Sequence, residues 1–110
     1  VAAFLHWYLP AGMDITEPES LPPALAPANT ADLSGLPPAY IGTAEHDPIR
    51  DDGARYAELL AAAGVPVELH NSPTMVHAFV NFAAVVPAAA EATDRGLAAL
   101  RAGLRRSIPA

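Results

Sequence analysis

The sequence predicts an α/β fold, a parallel β-α-β unit followed by a terminal helix. Three observations carry that expectation. Ala39 to Ala44, directly after Pro37 and Pro38, is apolar at both alternating sets of positions, as in a strand covered on two sides. From Asp51 onward, Tyr56, Leu59, Leu60 and Ala63 recur at helical spacing. The segment "VPVELHN" then alternates, with Val65, Val67 and Leu69 on one face and Pro66, Glu68 and His70 on the other. Two strands separated by one helix form a parallel pair through a right-handed crossover.

The elements follow in order. Residues 2 to 9 place Phe4, Leu5 and Tyr8 on one side of a short helix that Pro10 and Gly12 end. Trp7 and Tyr8 read as core packing, with an aromatic wall for a ligand as the alternative. Pro10 to Pro38 is too rich in proline for regular structure, and a loop of that length wraps a surface or serves a site. The helix after Asp51 carries acids in its first turn, where the helix dipole favours them, and Gly64 just past its end. The next strand is expected to finish near His70. With Pro66 at its start and one apolar face, it suits a sheet edge. Ala88 to Arg106 carries Leu97, Leu100 and Leu104 on one stripe, and Arg101, Arg105 and Arg106 toward its C-terminal end. Residues 1–38 thus read as a helix and a Pro-rich connector, and 39–110 as a β-α-β-α segment. Both belong to a single domain.

Composition excludes several classes of function. The 110 residues contain six Lys+Arg against twelve Asp+Glu, for a net charge of −6, and every basic residue is Arg. No cationic stripe is available to neutralise phosphates, which argues against nucleic acid and anionic membrane surfaces as partners. The longest apolar run, Phe82 to Ala90, is far short of the ~20 residues a membrane span needs and contains Pro87. The chain has no Cys, so it has neither a disulfide framework nor a thiolate site, which fits a reducing, cytoplasmic compartment. The opening "VAAFLHWYLPAG" has no initiator Met and no charged leader, and reads as the middle of something longer.

In an open parallel sheet, catalytic side chains gather beyond the carboxyl ends of the strands. Asp47, in "AEHDPIRDDG", follows the first strand, and His77, in "NSPTMVHAF", lies past the second. Taken singly, Asp47 before Pro48 reads as a turn or cap residue, and His77 among apolar neighbours as a buried histidine. Taken together at equivalent strand ends, they read as a carboxylate that orients an imidazole for proton transfer. A metal site built from His46, Asp47 and His77 is the weaker reading, because no paired-His spacing supports it. No cofactor is called for.

The stretch "LSGLPPAYIGTAEHDPIRDDGARYAELLAAAGVPVELHNSPTMVHAF" resembles the C-terminal part of α/β-hydrolase fold esterases and lipases of the hormone-sensitive-lipase-like group. The likeness runs from about Leu33 to Phe79 and continues loosely to Leu104. It implies that Asp47 is the acid and His77 the base of a Ser-His-Asp triad acting on small-molecule esters through an acyl-enzyme. It gives Asp51 and Asp52 a structural role at a helix start, and it allows a homodimer through the final strand or helix. Three positions depart from the group's pattern: Ile49 replaces Leu, Thr74 stands where Gly often occurs, and Ala78 replaces the Gly after the catalytic His.

Hydrolases of this kind run Ser, then acid, then His along the chain. Ser20 and Ser34 precede Asp47, but neither has the flanking glycines of a nucleophile elbow, and both lie in Pro-rich sequence. The expectation is that the nucleophile and oxyanion hole lie upstream of Val1. On that reading the two-faced strand lacks a neighbour on one side, and the 110 residues are marginal or aggregation-prone alone. The competing reading is a non-catalytic remnant or interaction module of the same fold. Amide or lactone hydrolysis is a third possibility that fold alone does not exclude.

Overall fold

The structure is a computed structural model and describes residues 2–106. Val1 and the Phe4 side chain, which belonged to the expected stripe of the first helix, lie outside the described residues. The chain divides into two compact units, Val1–Asp32 and Leu33–Ala110.

The first unit contains helix α1 (Ala2–Tyr8) and two single 3-10 turns, Pro18–Ser20 and Pro27–Asn29, within the otherwise irregular Pro-rich segment expected there. Both turns start on a proline, whose fixed φ suits a helical first position and whose missing N–H is not needed there. The Asn29 side-chain amide ties this segment together, donating to the carbonyls of Pro18 and Leu21, each at 2.8 Å. Trp7 and Tyr8 are each 79% exposed, so neither is a core residue.

The second unit carries the expected α/β architecture. Strand β1 (Ala39–His46), helix α2 (Arg50–Ala62) and strand β2 (Val67–Val76) form a β-α-β unit with a parallel pair, and helix α3 (Pro87–Arg106) completes it. Ala39 pairs with Val67 and Ala44 with Ser72. Side chains alternate along β1, so its two apolar sets face opposite ways. Ala39 and Ile41 join α2 in a core built on Leu33, Leu60 and Val65, while the Tyr40 ring lies against α3 at Gly96. Leu60 is 2% exposed, a burial contributing roughly 2 kcal/mol. Helix α2 approaches β1 closely at Gly53, where a Cβ would fall 2.8 Å from Thr43 Cγ2.

Local sequence ends α2 cleanly. Gly64 adopts φ +81, the Gly64 N–H donates to Ala61 O and the Val65 N–H to Leu60 O, both at 3.0 Å. This is the paired-bond C-terminal cap that glycine permits, and Val65 and Leu60 supply its usual apolar contact. Val65 therefore belongs to the cap and not to the strand.

Strand β2 departs from expectation at both ends. It starts at Val67 and continues to Val76, well past the expected finish near His70. Leu69, placed on the same face as Val67, remains 45% exposed because α2 packs chiefly over β1. Beyond Ser72 the pairing shifts: β1 advances from Ala44 to His46 while β2 advances from Ser72 to Val76. Two extra residues on β2 form a bulge, with Thr74 at φ +61. On α3, Leu97, Leu100 and Leu104 share a stripe as expected but are more than half exposed. No helix among the described residues is long and apolar enough to cross a membrane.

Candidate active site

Asp47 immediately follows β1, and the next residues turn the chain into α2. Asp at the first position of a β-turn and Pro at the second are favoured by their own conformational preferences. The Arg50 N–H donates to Asp47 O at 3.1 Å, and Ile49 sits at φ −107, ψ 13, near the geometry of the third turn residue. Within the turn the Ile49 N–H also donates to Asp47 Oδ1 at 2.9 Å. Asp47 therefore acts as the turn residue that local sequence suggests, and uses one carboxylate oxygen to do so.

The other oxygen reaches across the sheet. Asp47 Oδ2 lies 2.9 Å from His77 Nδ1. The strand ends thus bring together the two residues singled out in the sequence. The Asp47 side chain is 12% exposed and that of His77 62% exposed, so Asp47 is mostly covered by its neighbours and His77 stands open. The Ile49 amide holds the Asp47 carboxyl below the usual carboxylate range; burial opposes this and the hydrogen bond from His77 assists it. An ionised carboxylate can only accept, so in the neutral imidazole the proton sits on Nδ1 and Nε2 keeps a free lone pair. This arrangement can take a proton from a third group and return it.

His77 reaches this place by an unusual backbone path. Two residues flanking it, Thr74 and Ala78, both adopt φ +61. These are the same two positions at which the chain lacks glycine where the resembling group often has it. A left-handed conformation costs a non-glycine residue about 1–2 kcal/mol, so surrounding contacts must hold it. One such contact escaped the sequence reading. The Thr74 N–H donates to Glu45 Oε2 at 2.7 Å, across 29 residues of chain. Only cross-strand register reveals it, since nothing in the local sequence of either residue signals the pair.

His46 does not join the pair. Its side chain is 64% exposed, and Nε2 lies 3.7 Å from Glu45 Oε2. Among the described residues no group of three His, Cys, Asp or Glu side chains is arranged to hold a metal ion. Ser34 and Ser20 lie outside the strand-to-helix turns, in the segments where the sequence put them.

A family model described as the alpha/beta hydrolase fold matches residues 1–81, which include both Asp47 and His77, and the chain belongs to that family. It is 72% identical over 104 residues to the carboxylesterase NlhH of Mycobacterium tuberculosis (strain CDC 1551 / Oshkosh), covering 94% of this chain and 32% of that protein. To the esterase LipI of Mycobacterium tuberculosis (strain ATCC 25618 / H37Rv) it is 59% identical over 102 residues, covering 92% of this chain and 30% of that one. The crystal structure of DphMB1 matches with a TM-score of 0.84 at 50% identity, over 94% of this chain and 33% of that chain. The chain spans about a third of the length of the curated relatives it matches. It has the architecture of a C-terminal part of the fold.

Proposed function

We propose that this chain supplies the acid and the base of a Ser-His-Asp triad in a carboxylic-ester hydrolase, with the serine contributed from outside residues 1–110. The observation that carries the reading is the 2.9 Å contact between Asp47 Oδ2 and His77 Nδ1. The esterase and carboxylesterase names of its relatives support the substrate class. A serine hydroxyl attacks the ester carbonyl while His77 Nε2 takes its proton and passes it to the departing alcohol. Asp47 stabilises the imidazolium formed in between. Water, deprotonated by the same nitrogen, then releases the acid from the acyl-enzyme. A chain without cysteine supports a cytoplasmic setting.

The test is hydrolysis of a short-chain p-nitrophenyl ester by the intact protein encoded by the full reading frame containing these codons. His77→Ala is expected to lower kcat/KM by several powers of ten. An intact protein without esterase activity, or a His77→Ala variant of near-normal rate, removes the reading. The first of these results favours the non-catalytic module.

A further inference from the structure

We propose that Glu45 is a positioning residue that aligns His77 by gripping the bulge in β2. This rests on the triad reading of Asp47 and His77. Glu45 is two residues before the acid on β1, and Thr74 is three residues before the base on β2. Their contact is a charge-assisted hydrogen bond, Thr74 N to Glu45 Oε2 at 2.7 Å. It falls where the two strands lose register, between the pairs Ala44 with Ser72 and His46 with Val76.

A bulge re-aims the strand beyond it. Here pairing resumes at Val76, and the next side chain is His77. Thr74 holds φ +61, a conformation that a β-branched residue avoids unless its surroundings impose it. The Glu45 carboxylate is the acceptor that meets the Thr74 amide in that conformation. The Arg50 guanidinium in turn donates from Nη1 to the Glu45 carbonyl at 3.3 Å, tying the same residue to the start of α2. Glu45 thereby links the strand end that delivers Asp47 to the strand end that delivers His77. Its side chain is 43% exposed, so its effect on overall stability is small and its effect on local geometry is the larger one.

Misalignment of a catalytic pair by about 1 Å lowers rates on the order of a hundredfold. In the intact, active protein, Glu45→Ala is expected to lower kcat by roughly tenfold to a hundredfold with KM changed less than about threefold. Glu45→Gln keeps an acceptor of the same reach, and is expected to retain most of the rate. Glu45→Asp keeps the charge but loses the reach, and is expected to fall with the alanine variant. The low-field proton resonance of His77 Nδ1, bonded to Asp47, is expected to broaden or move upfield in the alanine and aspartate variants and to stay in place in the glutamine variant. If Glu45→Ala does not fold, the Gln and Asp variants decide the matter by themselves. Full kcat in Glu45→Asp overturns the proposal, as does an equal loss in the Gln and Asp variants. His77→Ala, assayed alongside, separates the two questions. If it is inactive while every Glu45 variant is normal, the triad stands and the positioning role falls. If His77→Ala is itself active, the triad reading fails.

Discussion

The turn carrying Asp47 and the segment carrying His77 end neighbouring strands, yet they are held by different means. Around Asp47 the turn is held within three residues: Ile49 N–H to Oδ1, Arg50 N–H to the Asp47 carbonyl, and Pro48 fixing its own φ. Around His77 the backbone passes through two left-handed non-glycine residues, and the bulge is gripped from a glutamate 29 positions away. The acid is therefore set by local chemistry and the base by its surroundings. Such a division suits a pair in which one member must stay fixed while the other meets a third group. Asp47 is the more covered of the two and His77 the more exposed, which fits the proposed roles of a fixed acid and a working base.

The two carboxylate oxygens of Asp47 have separate duties, one toward the Ile49 amide and one toward His77. Asp47→Asn keeps a side-chain carbonyl for the Ile49 amide but removes the charge facing His77. It is expected to lose several powers of ten in ester hydrolysis while holding its unfolding midpoint close to that of the parent. Asp47→Ala loses both contacts and is expected to fall in rate and in midpoint. Equal midpoints for the two variants in a thermal melt would show that the turn does not depend on Oδ1.

Smaller effects belong to the His77 side. Thr74→Gly removes the strain of a β-branched residue at φ +61 and is expected to stabilise the intact protein by about 1–2 kcal/mol in denaturant unfolding. Ala78→Gly, at the same φ but without β-branching, is expected to give about 1 kcal/mol or less. If both substitutions destabilise, the left-handed geometry at these positions is not strained and the contrast between the two loops weakens.

The smallest expected effect is on acid stability. Asp47 has its pKa lowered in the folded chain, chiefly by the Ile49 amide, so the unfolded chain binds the proton more readily. The associated stability is complete above the ordinary aspartate value of about 4 and is lost as pH falls from there through the lowered folded value. Denaturant unfolding between pH 5 and 3 is expected to show a shallower decline in Asp47→Asn than in the parent. An identical slope would mean that the Ile49 hydrogen bond carries no linkage.

How much could be read from the sequence differs between the same two regions. Strand β1 and helix α2 were legible because their signals are local: Pro37 and Pro38 before the strand, apolar spacing from Tyr56 to Ala63, and Gly64 beyond the helix. The continuation of β2 to Val76 was not legible. "NSPT" carries the residues of a turn, yet Asn71 and Ser72 pair with Thr43 and Ala44 of β1, and Pro73 and Thr74 lie in the bulge beside Glu45. Exposure of Trp7 and Tyr8 was missed for a related reason, since residue type reports the tendency to be buried but not whether a neighbour is there to cover it.

The order of elements, the caps and turns between them, and the candidacy of Asp47 and His77 came from the sequence alone, because turn chemistry and apolar period act over a few residues. The meeting of the two side chains at 2.9 Å, the bulge, and the left-handed Thr74 and Ala78 were decided by tertiary structure. Those features depend on parallel pairing between strands joined through a helix, and no short stretch of chain encodes where its distant partner will stand.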